Sequence, residues 1–103
     1  IKKTENKNKI LQKTHQVIID STSIELVFIE GMRLFNNKSY KDAITKLSEV
    51  KKSDTEFFNA QLHIGKSYLK LKDNIKAKPF LESALKGNKK VKIEAQLILN
   101  SIK

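Results

Sequence analysis

An all-α fold is predicted for this chain by three observations. Apolar residues recur three and four apart through most of residues 23–102, the period of a helix with one buried face. Three glycines and one proline among 103 residues favour helix over strand. The stretch from Ser23 to Gly87 also repeats itself with a period of 34 residues: Gly31 and Gly65, Ala43 and Ala77, Leu47 and Leu81, Val50 and Ala84 stand in register. Ile24 pairs with Phe58, Val27 with Gln61 and Leu34 with Tyr68 in the same way. A fixed period of this length, with small residues in phase, marks stacked helix-turn-helix units.

Length and composition set outer limits. A chain of 103 residues, 39% apolar, makes one domain around one core. It contains no run of ~18 apolar residues, the length a membrane-spanning helix needs. Without cysteine it forms neither disulfides nor thiolate metal sites. The first residue is Ile1 and not Met, so a leader cut away before it is expected. The net charge of +10 comes from 20 Lys and one Arg against 11 acids. Such a balance suits nucleic acid, an anionic membrane or an acidic partner. It also matches AT-rich coding, since Lys, Ile and Asn supply 40 of the 103 residues.

In order along the chain, residues 1–9 are polar and basic and are expected to be disordered. Residues 10–20 carry a weak helical stripe of Ile10, Leu11, Val17 and Ile18. That segment is too short to stand alone in water, so it is expected to dock on the first repeat, against Phe28 or Phe35 or on the outer side of that helix, and to gate the groove. Thr22 and Glu25 have capping-box spacing and open the first clear helix, with Ile24, Val27, Phe28, Gly31, Leu34 and Phe35 on one face. Ser39 caps the second helix, which carries Tyr40, Ala43, Ile44, Leu47 and Val50. Ser53 and Glu56 form a second capping box before a third helix that is apolar on more than one side. Asp73 or Asn74 opens the fourth helix and Gly87 closes it. A fifth helix, about 89–102, has Val91, Ala95, Ile98 and Ile102 on one face, and Ile98 and Ile102 cover the end of the stack. The organisation is therefore a basic lead over 1–20 and a repeat domain over 21–103. Its parts are repeat one (23–52), repeat two (54–87) and a capping helix (89–102).

Two features break helical preference. Glycine inside a helix costs about 1 kcal/mol relative to alanine. Its appearance twice in the same phase, at Gly31 and Gly65, implies that the second helix of each pair packs close against it. Pro79 falls about six residues into the fourth helix, where proline costs about 3 kcal/mol. That predicts either a start near Lys76 or a kink.

Chemistry is sparse. The sequence holds no nucleophile elbow, phosphate loop, zinc spacing or calcium loop. His15 and His63 are far apart, and most carboxylates have a lysine within four residues. The chain reads as non-enzymatic, with no cofactor, metal or small-molecule substrate.

The two copies, IELVFIEGMRLFNNKSYKDAITKLSEV and FNAQLHIGKSYLKLKDNIKAKPFLESAL, resemble tetratricopeptide repeats. Gly31, Leu34, Ala43, Leu47 and Val50, then Gly65, Tyr68, Ala77, Leu81 and Ala84, carry the likeness. The early tryptophan and the late proline of that family are missing, and Val50 stands for an alanine. The resemblance implies two hairpins of an α-solenoid and a protein-binding concave face. Carried over by position, the partner-binding groove comprises Glu25, Phe28, Met32, Phe35 and Asn36, then Asn59, Leu62, Lys66, Leu69 and Lys70. Phe28 and Met32 stand where the chaperone-tail carboxylate clamp needs lysine and asparagine, so that specialisation is not expected. The implied partner is an apolar or amphipathic protein segment with an acidic end. A lysine stripe of Lys66, Lys70, Lys86, Lys89, Lys90 and Lys92 offers nucleic acid an alternative, against the single arginine. The first copy also resembles the opening repeats of the BamD-type lipoprotein family of outer-membrane β-barrel assembly, though that family has about five repeats. This likeness implies a bacterial envelope subunit, tethered to the membrane through a residue before Ile1. The alternatives are a cytoplasmic adaptor and a basic helical nucleic-acid-binding module.

Overall fold

The computed structural model describes residues 19–102, with side chains from Leu26 onward. The described residues form five helices and no strand: α1 (Ile19–Asn36), α2 (Tyr40–Leu47), α3 (Phe57–Lys70), α4 (Asn74–Ala84) and α5 (Lys89–Ser101). Each helix packs on the next, and the alternate helices α1 and α3, then α3 and α5, also touch. The basic lead and the docking of residues 10–18 lie outside the described residues.

The turns joining α1 to α2 and α3 to α4 are built alike. In the first, Lys38 N–H donates to Phe35 O (3.0 Å) and Ser39 N–H to Leu34 O (2.8 Å). In the second, Lys72 N–H donates to Leu69 O and Asp73 N–H to Tyr68 O, both at 2.9 Å. This pair of bonds ends a helix by turning one residue left-handed, a position that glycine fills without strain. Here lysine fills it twice, at φ 68° in Lys38 and 66° in Lys72. Those two lysines are 34 residues apart.

The interior repeats as well. A Cβ placed on Gly31 would stand 2.6 Å from Leu47 Cγ, and one on Gly65 would stand 2.7 Å from Leu81 Cγ. Both leucines are essentially inaccessible. Each glycine thus admits the leucine sixteen residues later, and the second helix of the hairpin rests on the bare backbone of the first. Gly87, expected to end α4 by a left-handed turn, has no positive φ. The helix stops at Ala84 instead, and Gly87 serves as a third close approach, with Phe58 Cβ 2.8 Å from where its Cβ would be.

Helix α3 is buried on two sides. Ala60 and Ile64 pack with Ala43, Leu47 and Val50, while Leu62 packs with Ala77, Leu81, Ala84, Val91 and Ala95. Tyr68 touches both clusters and stacks on Phe80 at 5.7 Å. Ser67, the buried polar side chain of this helix, donates its hydroxyl to His63 O at 2.8 Å. On the C-terminal side Val91 and Ala95 are buried, and Ile98, Leu99 and Ile102 pack against them, so α5 covers that side of α3 and α4, while Ile93 and Leu97 on its other side are exposed.

Several helix starts differ from the sequence reading. Helix α1 begins at Ile19, so Thr22 and Glu25 lie within it and do not open it. The Ser53–Glu56 box does not form. Asp54 Oδ1 instead accepts from Glu56 N–H (2.8 Å), and Asp54 O accepts from Phe57 N–H (3.0 Å). These local turns occupy residues 51–56 and postpone α3 to Phe57. The Glu56 carboxylate accepts from Asn59 Nδ2 at 3.2 Å. Ser39 stands at the cap of α2, but its side chain makes no capping bond. Asp73 does cap α4, accepting from Lys76 N–H at 3.1 Å, and Asn88 caps α5, accepting from Val91 N–H at 3.0 Å. Helix α4 therefore starts at Asn74, not near Lys76, and Pro79 lies inside it. Pro79 and Ile75, the residue whose carbonyl loses its helical donor, are both exposed.

Two stability measurements follow. Gly65→Leu should lower the unfolding free energy by about 1–3 kcal/mol through overpacking against Leu81. Gly65→Ala should cost less, because alanine regains about 1 kcal/mol of helix preference. Urea titrations read both, and a Gly65→Leu midpoint equal to wild type would contradict the close approach. Lys38→Gly and Lys72→Gly should each raise stability by about 0.5–1 kcal/mol by relieving the left-handed turn. Thermal melts that fall on either replacement would contradict the strained turn.

Candidate functional site

Helices α1, α3 and α5 lie side by side and share one face. Phe35 lies in the last turn of α1, and its ring meets the His63 ring of α3 edge-on at 5.0 Å. Lys66, one turn further along α3, holds its Nζ 5.7 Å from the centre of the Phe35 ring. The same ammonium donates to Glu94 Oε2 of α5 at 2.6 Å. One aromatic, one imidazole, one cation and one carboxylate from three helices thus form a single cluster. Below it, a cleft of about 410 Å³ runs between α3 and the start of α5, walled by Glu56, Asn59, His63, Lys90 and Glu94.

The protonation states follow from this packing. His63 Nδ1 lies 2.9 Å from Asn59 O. A carbonyl only accepts, so Nδ1 carries the proton of the neutral ring and Nε2 is left as an acceptor. Burial lowers the His63 pKa most, and the Lys66 charge adds to it. The Asn59 bond and the Glu94 charge oppose them. Glu94 is held below the usual carboxylate range, first by the hydrogen bond from Lys66, with the charges of Lys66, His63 and Lys90 in support. Both members of the ion pair are partly exposed, so the pair contributes on the order of 0.2–1 kcal/mol and chiefly orients Lys66.

The ten groove positions distribute unevenly. Phe28 and Phe35 are half-buried against the cluster between α1, α2 and α3. Met32 is half-buried, and Asn36 and Lys70 are exposed. Leu62 is 1% exposed and belongs to the core, and Leu69 packs against that same core. Asn59 and Lys66 reach the cleft cluster, with Phe35 beside them. The side chain of Glu25 lies outside the described residues. The shared face is therefore more polar than its positions suggest. His63, Lys90 and Glu94 were not picked out as groove residues. His63 was open to detection, since it stands four residues after Asn59 and three before Lys66 on one helical face. Glu94 was not, because its partner lies 28 residues away.

Among the described residues, no group of three or more His, Cys, Asp or Glu side chains is placed to hold a metal ion. No described helix is long and apolar enough to cross a membrane. Comparison of the chain with protein-family models, curated proteins and solved structures gave no match.

The His63 geometry sets a pH dependence. Its folded pKa lies below its unfolded value, so the neutral ring contributes stability above the ordinary histidine range, and this is lost as pH falls through and below about 6.5. Wild type should lose melting temperature between pH 7 and pH 5 more steeply than His63→Gln. Equal slopes for the two proteins would show that His63 is not desolvated.

Proposed function

We propose that this chain is a non-catalytic protein-interaction scaffold of tetratricopeptide type, with two hairpins and a closing helix. One observation supports the reading above others: Gly31 with Leu47 and Gly65 with Leu81 make the same close approach, 34 residues apart. Repeated hairpins of this kind set alternate helices side by side and expose a continuous face to a ligand. The face presents Phe35, His63 and Lys66, with Lys70 and Lys90 near its borders, and so suits an amphipathic protein segment with an acidic end. The resemblance of the first copy to BamD-type lipoproteins supports a place in a bacterial envelope assembly complex, lipid-anchored in the periplasm. A cytoplasmic adaptor is the alternative.

Selection from a random peptide library tests the groove. Peptides enriched on the wild-type chain should lose at least about tenfold in affinity on Lys66→Glu and Asn59→Arg, and little on Lys78→Glu of the exposed face of α4. Peptides that bind all four proteins equally would defeat the groove reading. A nucleic-acid module would instead show sub-micromolar binding of single-stranded RNA that survives physiological salt.

A further inference from the structure

The turn from α3 to α4 carries a second surface. A cleft of about 430 Å³ lies between α2 and the turn from α3 to α4, bordered by Lys41, Tyr68, Leu71, Asp73 and Lys76. Leu71, the last residue before the turn, is 38% exposed, and Ile75 in the first turn of α4 is 87% exposed. The chain order here is Lys70, Leu71, Lys72, Asp73, Asn74, Ile75, Lys76, so each apolar side chain has a lysine beside it. Lys41, Lys70, Lys72 and Lys76 are all exposed. Among the described residues, only Lys76 of these four has a carboxylate within 4 Å, and that is Asp73 at 3.9 Å. Lys72 sits in a left-handed turn, as Lys38 does in the first hairpin, and its side chain is exposed at this tip.

We propose that this tip docks on an anionic lipid bilayer. Leu71 and Ile75 enter the interfacial layer, and Lys41, Lys70, Lys72 and Lys76 meet the headgroups. Protruding aliphatic side chains interleaved with lysines match a surface that is apolar inside and negative at its rim. Nucleic acid favours exposed aromatics and arginine, whereas the aromatic at this cleft, Tyr68, is half-buried and stacked on Phe80. An acidic protein surface would need an apolar pocket matched to Ile75, whereas a bilayer supplies an apolar layer beneath its charge wherever the tip lands. Lys70 stands at the border of the Phe35–Lys66–Glu94 face as well, but Leu71, Ile75, Lys41, Lys72 and Lys76 lie outside it, so the inference stands apart from the peptide-groove reading.

Sedimentation of the full 103-residue chain with vesicles tests it, using phosphatidylcholine alone and phosphatidylcholine with about one-third phosphatidylglycerol. Binding is expected on the anionic vesicles and not on the neutral ones. Ile75→Asp and Leu71→Asp should each reduce partitioning at least about tenfold. Lys70→Gln and Lys72→Gln should each reduce it about fivefold. Lys66→Gln should leave it unchanged, and circular dichroism confirms that each variant keeps its helices. The proposal fails if anionic vesicles do not bind. It also fails if partitioning follows the lysines while Ile75→Asp and Leu71→Asp bind like wild type, since that is adsorption without insertion. Binding of poly-glutamate or poly-uridine through these residues, without vesicle binding, would overturn it in favour of an acidic protein or RNA.

Discussion

The close approach of a leucine to a glycine is the contact on which this structure depends. In each hairpin the first helix gives up a side chain, and the second sets a leucine against the exposed backbone. Glycine there costs helix stability, and burying a leucine side chain returns about 1.5–3 kcal/mol. The distance between the two helices is fixed by that contact, and the rest of the interior is sized to match it. Ala43, Ala60, Ala77, Ala84 and Ala95 are all fully buried. Small residues at so many interfaces keep the helices near, and larger ones at those positions would force them apart.

Helix α3 carries the consequence furthest. It is the second unit's first helix, yet it must also cover the first unit. One side therefore holds Ala60 and Ile64 and the other holds Leu62, with Tyr68 touching both clusters. The little surface left to α3 lies between its neighbours α1 and α5, and Asn59, His63 and Lys66 occupy it. A helix so enclosed leaves few polar positions, and those few are brought close to side chains from both flanking helices. This explains how a sparse set of residues forms a dense cluster with Phe35 and Glu94.

The two faces differ in character for a physical reason. Between α1, α3 and α5 the polar groups meet each other: a lysine is paired, an imidazole is hydrogen-bonded and desolvated, and an aromatic edge closes the cluster. At the tip of the second hairpin the lysines point outward from a turn, and apolar side chains protrude between them. One surface is ordered by its own contacts. The other is a rim of solvated charge around exposed aliphatic groups, and it gains most where water is removed from those groups.

The sequence by itself determined the helices, their pairing and the points of closest approach. Each of these rests on spacing along the chain: the three-and-four period, the 34-residue register, and glycine and leucine recurring in phase. The packed face of α5 was legible for the same reason, since Val91, Ala95, Ile98 and Ile102 share one side. Local signals failed where a neighbouring residue competed for the same backbone donors, as Asp54 did in displacing the expected start of α3. The tertiary structure alone decided the content of the shared face. Leu62 was counted as a groove residue, but packing against α4 takes it into the core. Lys66 and Glu94 form an ion pair only because α3 and α5 are drawn together by buried contacts elsewhere, and a pairing across 28 residues leaves no mark on local sequence.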